Sequence, residues 1–401
     1  MTLHHSQDGK SWAQSINLET NLHMKNRIGK FAASLALLAA NTLVLAQPIA
    51  IVGLAELSGS GATAGTNYDN GVKLAVSEIN AAGGILGRKI NYTTWDTQTQ
   101  PGVAKALATK AMDQGVPLVM GPVFSGSILV SMAETRRAEV PNVIGGEAAA
   151  ITQQGNPYVF RSSFTQVSAM PKVVQYLTQN LKARSVAIIY VNNDFGKGGR
   201  DVITKSLEAA QVKILADIST EAGQVDFSAA ILKAKQSNAD ALFVYTNEEE
   251  SARALKEIRK QGYDKPVVGE TTLANDKVIE LAGDAANGVV AHVGLTPDAP
   301  NATVQAFARN YLAAYKSKAD HNAMKGYTGM HAAKAIFDKI GKIDPKAFAA
   351  AMHGASISAK DYPGVLFDVK YDNNGDLDRE SFIVKVVAGK AQVVETLKPA
   401  K

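Results

Sequence analysis

The chain has 401 residues, 46% hydrophobic and 20% charged, which is a globular composition long enough for two or more domains and excludes a disordered chain. There are no cysteines, so disulfides, thiolate metal sites and a cysteine-linked lipid anchor are excluded. The formal charge is +5; without residues 1–46 it falls to +3, from 38 basic and 35 acidic residues, with no long basic tract, so nucleic acid is not an expected partner.

Residues 1–46 read as a leader. Lys25, Arg27 and Lys30 precede the apolar run 31–40, and Val44 and Ala46 hold the −3 and −1 positions of a cleavage site after Ala46. The run is too short for a membrane-spanning helix. Residues 24–46 form an ordinary signal peptide starting at Met24, and residues 1–23 are expected to be an extension that is not translated.

The mature chain then alternates short apolar runs with helical periods. Pro48–Ala55 suits a buried parallel strand. In Tyr68–Asn80, Val72, Ala75, Val76 and Ile79 fall on one helix face, and Gly83-Gly84 supplies the stop. Strands are expected at 89–95, 117–120 and 142–144, with helices at 103–114 and 127–137. After Tyr158–Arg161 the pattern restarts: helices at 170–181, 199–210, 227–236 and 249–261, and strands at 185–191, 212–218, 241–245 and 267–268. Helices follow at 303–316, 329–340 and 345–352. An antiparallel pair, 365–371 with 380–387, closes the chain around Asp372-Asn-Asn-Gly375. Such alternation implies parallel sheets with right-handed crossovers, in two similar α/β lobes.

Few motifs carry chemistry. Gly59-x-Gly61-x-x-Ala64 matches a dinucleotide fingerprint, but the acid at the right distance, Glu78, lies in a helix, and Asp96 ends the next strand further away. Asp372–Asp378 lacks the Gly and Glu positions of a calcium loop and reads as a hairpin turn. His292, His321, His331 and His353 form no metal-binding pair and read as surface or satisfied core residues. No cofactor, metal or catalytic residue is expected. Gly121–Ser127 follows a strand and opens a helix, a place where free N–H groups and hydroxyls suit an anion.

Several stretches together closely resemble type I periplasmic binding proteins of the leucine/isoleucine/valine-binding group. They are Gly71–Ile90, Val119–Pro122, Tyr158–Arg161, Asp194–Gly198, Asp226–Ser228, Leu281–Gly288 and Asn374–Leu377, spanning nearly the whole mature chain. The resemblance implies two Rossmann-like lobes, 47–163 plus 294–361 and 164–293 plus 362–401, joined by three crossovers around a ligand cleft. It also implies a monomer in the periplasm that captures a small solute, foremost a branched-chain amino acid, and delivers it to an inner-membrane ABC permease. An aromatic or organic acid, or an amide, is the alternative cargo.

The resemblance places Ser125 at the ligand carboxylate and Phe195 on an aromatic wall. Glu147 and Ala148 stand where small residues and a threonine are usual, and Asn247 and Glu248 where an aromatic is common. The ammonium-binding acid aligns near Thr271, next to Glu270, and the lid aromatic near Ala64. A carboxylate buried here without a cation is costly, so either the ligand supplies positive charge or these acids stay solvated.

Overall fold

The computed structural model describes residues 1–2 and 47–399. The expected signal peptide and cleavage site lie outside the described residues, apart from Gln47.

The first sheet contains β1 (Ile49–Ala55), β2 (Ile90–Asp96), β3 (Val119–Met120), β4 (Asn142–Ile144) and β5 (Val159–Arg161), all parallel, in the order β2-β1-β3-β4-β5. Strand alternation sends β1 side chains to both faces. Ile49 and Ile51 meet α1 (Ala62–Ala81), whereas Val52 and Leu54 meet Ala108 and Ala111 of α2 (Pro101–Asp113). This double burial explains why β1 reads as an unbroken apolar run.

The second sheet has order β15-β14-β10-β9-β8-β6-β7. Its parallel part is β6 (Ser185–Val191), β7 (Lys213–Thr220), β8 (Ala241–Tyr245), β9 (Val267–Gly269) and β10 (Val290–Val293); β14 (Ser381–Val387) and β15 (Lys390–Leu397) add antiparallel strands. Val186 and Ile188 pack with Val173, Leu177 and Leu207, while Ala187 and Ile189 join Ile231 and Leu255 on the other face. The expected two-lobed α/β fold is present. The chain passes between the lobes after β5, after β10 and before β14.

Two expectations need correction. The stretch 380–387 pairs with β10 and β15, not with 365–371. Instead β12 (Val369–Tyr371) pairs with β11 (Ser356–Ile357) and β13 (Leu377–Asp378) in a separate three-stranded sheet. The turn after β12 returns Asp376 to Arg161 at the end of β5, so 369–378 packs on the first lobe, not the second. Asp96, weighed above as a nucleotide acid, accepts from the N–H groups of Leu57, Ser58 and Gln98 and braces the Gly59 loop.

The helix expected at 329–340 is α11 (His321–Ile340), two turns longer at its start. Asp320 caps it by accepting from Ala323 N at 2.8 Å. It crosses α1 at backbone contact: a Cβ on Gly71 would lie 1.9 Å from the Ala323 carbonyl oxygen, and one on Gly326 would lie 2.0 Å from that of Tyr68. Gly326→Ala therefore forces the helices apart. Such overpacking is expected to cost about 1–3 kcal/mol or more, read as a lowered urea midpoint with little change in slope.

Candidate functional site

A cavity opens between the two sheets. From the first lobe, Val123, Phe124 and Ser125 follow β3, and Gly145, Gly146 and Glu147 follow β4. From the second lobe, Phe195 opens α6 (Asp194–Ala209), and Asn247 and Glu248 begin α8 (Glu248–Lys260). Both sheets thus present their strand carboxyl ends, where open α/β sheets bind ligands. Ala64 and Thr272 add to the wall, and α11 contributes His321, Asn322 and Lys325.

The charged core of the wall is an ion pair. Lys325 Nζ lies 2.7 Å from Glu147 Oε1, with both side chains at most 10% exposed. Burial raises the Glu147 carboxyl above its ordinary range, and Lys325 pulls it back. Lysine therefore supplies the cation that was sought from the ligand or solvent. The loop carrying Glu147 is fixed by Arg161, which is fully buried. The Arg161 guanidinium donates to the carbonyls of Gly146 at 2.6 Å and Ala148 at 2.7 Å, on either side of Glu147, and to Asp376 Oδ1 at 2.5 Å.

Glu248 differs. Its side chain is 14% exposed. Asn322 Nδ2 approaches at 3.4 Å and His321 Nε2 at 3.9 Å, the second beyond hydrogen-bond reach. Burial pushes the carboxyl up to about 7, partly opposed by the residue's own N–H at the helix start. Burial also holds His321 well below its ordinary range, so its imidazole is neutral.

Five of the eight residues expected to bind ligand line the cavity: Ser125, Phe195, Glu147, Asn247 and Glu248. Phe195 stacks on Tyr245 at 4.2 Å, and the Asn247 amide is held by Glu250. Ala148, Glu270 and Thr271 are absent from the lining. Ala148 N donates to Ser125 Oγ at 3.3 Å, a contact that orders the wall from behind. Glu270 accepts from Thr271 N and from Thr271 Oγ1 at 2.8 Å, and His292 Nδ1 lies 3.2 Å away. Lys325 nevertheless acts on Glu270 through space, and Glu270 in turn raises the Glu147 carboxyl.

The anion seat expected at 121–127 is partly filled. Glu56, at the end of β1 and fully buried, accepts from Val123 N and Phe124 N, both at 3.1 Å. Burial pushes its carboxyl up to about 7. Ser125 and Gly126 still precede the first helical bond, Ile128 N to Phe124 O, in α3 (Ser125–Arg137).

The sequence marks His321 only as a surface or satisfied core histidine and carries no motif at Asn322 or Lys325, yet all three line the cavity. All three sit on the unforeseen first turns of α11. The available signal was Asp320 as a cap ahead of a polar run.

Comparison with known proteins adds the family. The family described as "Periplasmic binding protein" matches residues 48–391. The chain belongs to the periplasmic binding protein family. A Leu/Ile/Val-binding protein of Rhizobium johnstonii is 27% identical over 345 residues, covering 85% of this chain and 92% of the relative. The branched-chain amino acid transporter substrate-binding protein of Streptococcus pneumoniae, solved with isoleucine, is 27% identical, with a TM-score of 0.78 over 88% of this chain and 100% of that one. A Rhodopseudomonas palustris solute-binding protein solved with 3,4-dihydroxybenzoic acid has a TM-score of 0.79 at 23% identity, covering 88% and 98%; that likeness speaks to the fold alone. The leucine/isoleucine/valine group inferred from sequence is upheld.

Two measurements test the electrostatics. Lys325→Met strands a buried carboxylate, an expected loss of about 3–5 kcal/mol in urea unfolding, and adding Glu147→Gln restores much of it. Glu248 has a folded pKa of about 7, above the ordinary 4.5, so its ionised form is disfavoured in the fold. Below the ordinary value there is no penalty; it grows as pH rises to about 7. In ligand-free melts, Glu248→Gln should therefore gain on the parent protein between pH 5 and pH 8.

Proposed function

We propose that this periplasmic binding protein is the substrate-binding component of an ABC importer and that its cargo is an amino acid, foremost one of the branched-chain type. The observation that carries this reading is a cavity walled by both lobes at their strand carboxyl ends, where open α/β sheets bind ligands. Phe124, Phe195 and Val123 offer apolar surface to a side chain, and Ser125 and Lys325 offer donors to a carboxylate. The relatives named for leucine, isoleucine and valine support the same cargo.

The aromatic-acid alternative is weaker on charge. The wall carries two carboxylates, Glu147 and Glu248, against one ammonium, Lys325. A solute with only a carboxylate adds negative charge to that wall, whereas an amino acid brings its own cation.

In this reading the leader is cleaved after Ala46, the mature protein works as a periplasmic monomer without a lipid anchor, and a permease recognises the closed form. The lobes would be 47–163 with 294–378, and 164–293 with 379–401. This division moves the third crossing from 361/362 to Arg379, because 369–378 forms one small sheet with β11. Ligand touching both lobes binds the closed form better and shifts the population toward it.

Unfolding and refolding residues 47–401 removes solute carried through purification. A thermal melt against amino acids and aromatic acids should then show a selective amino-acid shift, since ligand at 100 times its dissociation constant adds about 2.7 kcal/mol. Ser125→Ala should weaken that ligand about tenfold without moving the ligand-free midpoint, the loss expected for one hydrogen bond to a charged group. Selective shifts with acids lacking an amino group would instead support the alternative cargo.

A further inference from the structure

A second pocket lies directly behind the cleft cavity, and among the described residues His321 is the one that lines both. Its place is fixed by the residue before it. Asp320 accepts from Ala323 N at 2.8 Å, capping α11, and from Asn67 Nδ2 at 2.9 Å. His321 therefore opens the helix with its ring 3% exposed, and that ring separates the two spaces.

The rear pocket differs in chemistry from the cleft. Three carboxylates, Asp276, Asp298 and Asp320, stand on its lining, which carries no lysine or arginine among the described residues. Lys318 reaches only Asp276, at 3.7 Å. Two buried polar atoms on this lining have no hydrogen-bond partner: His321 Nδ1 on the partition itself, and Nδ2 of Asn275, a residue 8% exposed. Asn275 Oδ1 accepts from Val278 N at 2.9 Å, so the amide is oriented and Nδ2 is left as a donor. Buried polar atoms are rarely left unpaired without a reason. A chain that passed His321 would meet acids and unmet polar groups.

We propose that His321 is a specificity-determining residue, an end wall that limits the length of solute the cleft accepts and bars chains with a terminal cation from the acidic pocket behind it. The inference rests on the amino-acid reading above for its probes. An amino acid of branched-chain size stops at the imidazole. Lysine or arginine reaches the same ring with its charge desolvated and held away from the rear carboxylates, which is costly. Removing the ring joins the two spaces and puts those carboxylates within the solute's reach.

The test titrates refolded residues 47–401 by calorimetry with straight-chain L-amino acids from norvaline to 2-aminooctanoate, and with the same acids lacking the amine. In the parent, affinity should rise about fourfold per methylene and then fall about tenfold past a length limit inside the series. His321→Ala should move that limit out by about two carbons, as a ring's worth of space is freed. His321→Ser, which keeps a polar residue in the first turn of α11, is the second shortening. In both variants L-lysine should gain about tenfold over the parent, more than 2-aminoheptanoate of matching length, and adding Asp298→Asn should reduce that extra gain. A limit that stays in place in folded variants, or a parent with no limit, overturns the proposal while leaving the amino-acid cargo standing. A parent that binds only the series lacking the amine overturns the cargo reading, and the length limit in that series still tests the wall.

Discussion

The cleft depends on one buried ion pair, Lys325 with Glu147. Two desolvated charges are tolerated only when their geometry is fixed, and each partner is fixed from a different direction. Lys325 rides on α11, which reaches the cleft because Gly71 and Gly326 let two helices touch backbone to backbone. Glu147 sits on a loop whose flanking carbonyls are gripped by Arg161. Arg161 is in turn neutralised by Asp376, which only the turn between β12 and β13 can bring there. A short C-terminal hairpin therefore helps to set the binding wall more than 200 residues earlier in the chain.

The crossings between the lobes use the same economy of contacts. The Arg379 guanidinium, 2% exposed, donates to the Ser162 carbonyl at 3.0 Å, tying the third crossing to the first. Phe164 of the first crossing lies against Gly294 of the second, where a Cβ would meet the ring at 2.4 Å. Lys172 stands over the same ring at 4.4 Å and bonds Ser381 at 2.9 Å. All three strands of the hinge thus share one aromatic ring and two cations. Gln166, just beyond, spans the gap: its amide donates to Phe195 O and Tyr245 Oη of the second lobe and accepts from Ala149 N of the first.

Much of this was legible in the sequence, and the pattern of misses has a physical cause. Strands buried on both faces, such as 185–191 and 241–245, announce themselves as apolar runs, and both were placed to the residue. Helices with one apolar face, such as 345–352, were equally clear. The start of α11 was not, because His321, Asn322 and Lys325 break the apolar period while being buried. A polar run buried at a site looks like a loop to any reading based on hydrophobicity. The same reason hid the cation of the cleft, since nothing local to Glu147 hints at a lysine 178 positions later. Of the residues that the family resemblance singles out, Ser125 and Phe195 line the cavity, whereas Thr271 and Glu270 are absent from its lining and bond one another.

Glu56 shows why the frame and the ligand site have to be separated by geometry. The turn before α3 offers backbone N–H groups of the kind that capture anions in α/β folds, and it has captured one: the carboxylate at the end of β1, bonded to Val123 and Phe124. Ser125 is left with its hydroxyl beside Ala148 N on the cavity wall, and the charge on that wall comes from side chains, Lys325 with Glu147 and, beyond them, Glu248. The turn sequence alone therefore overstates how much free backbone the cavity presents, because an acid 67 positions before Val123 already holds two of its N–H groups.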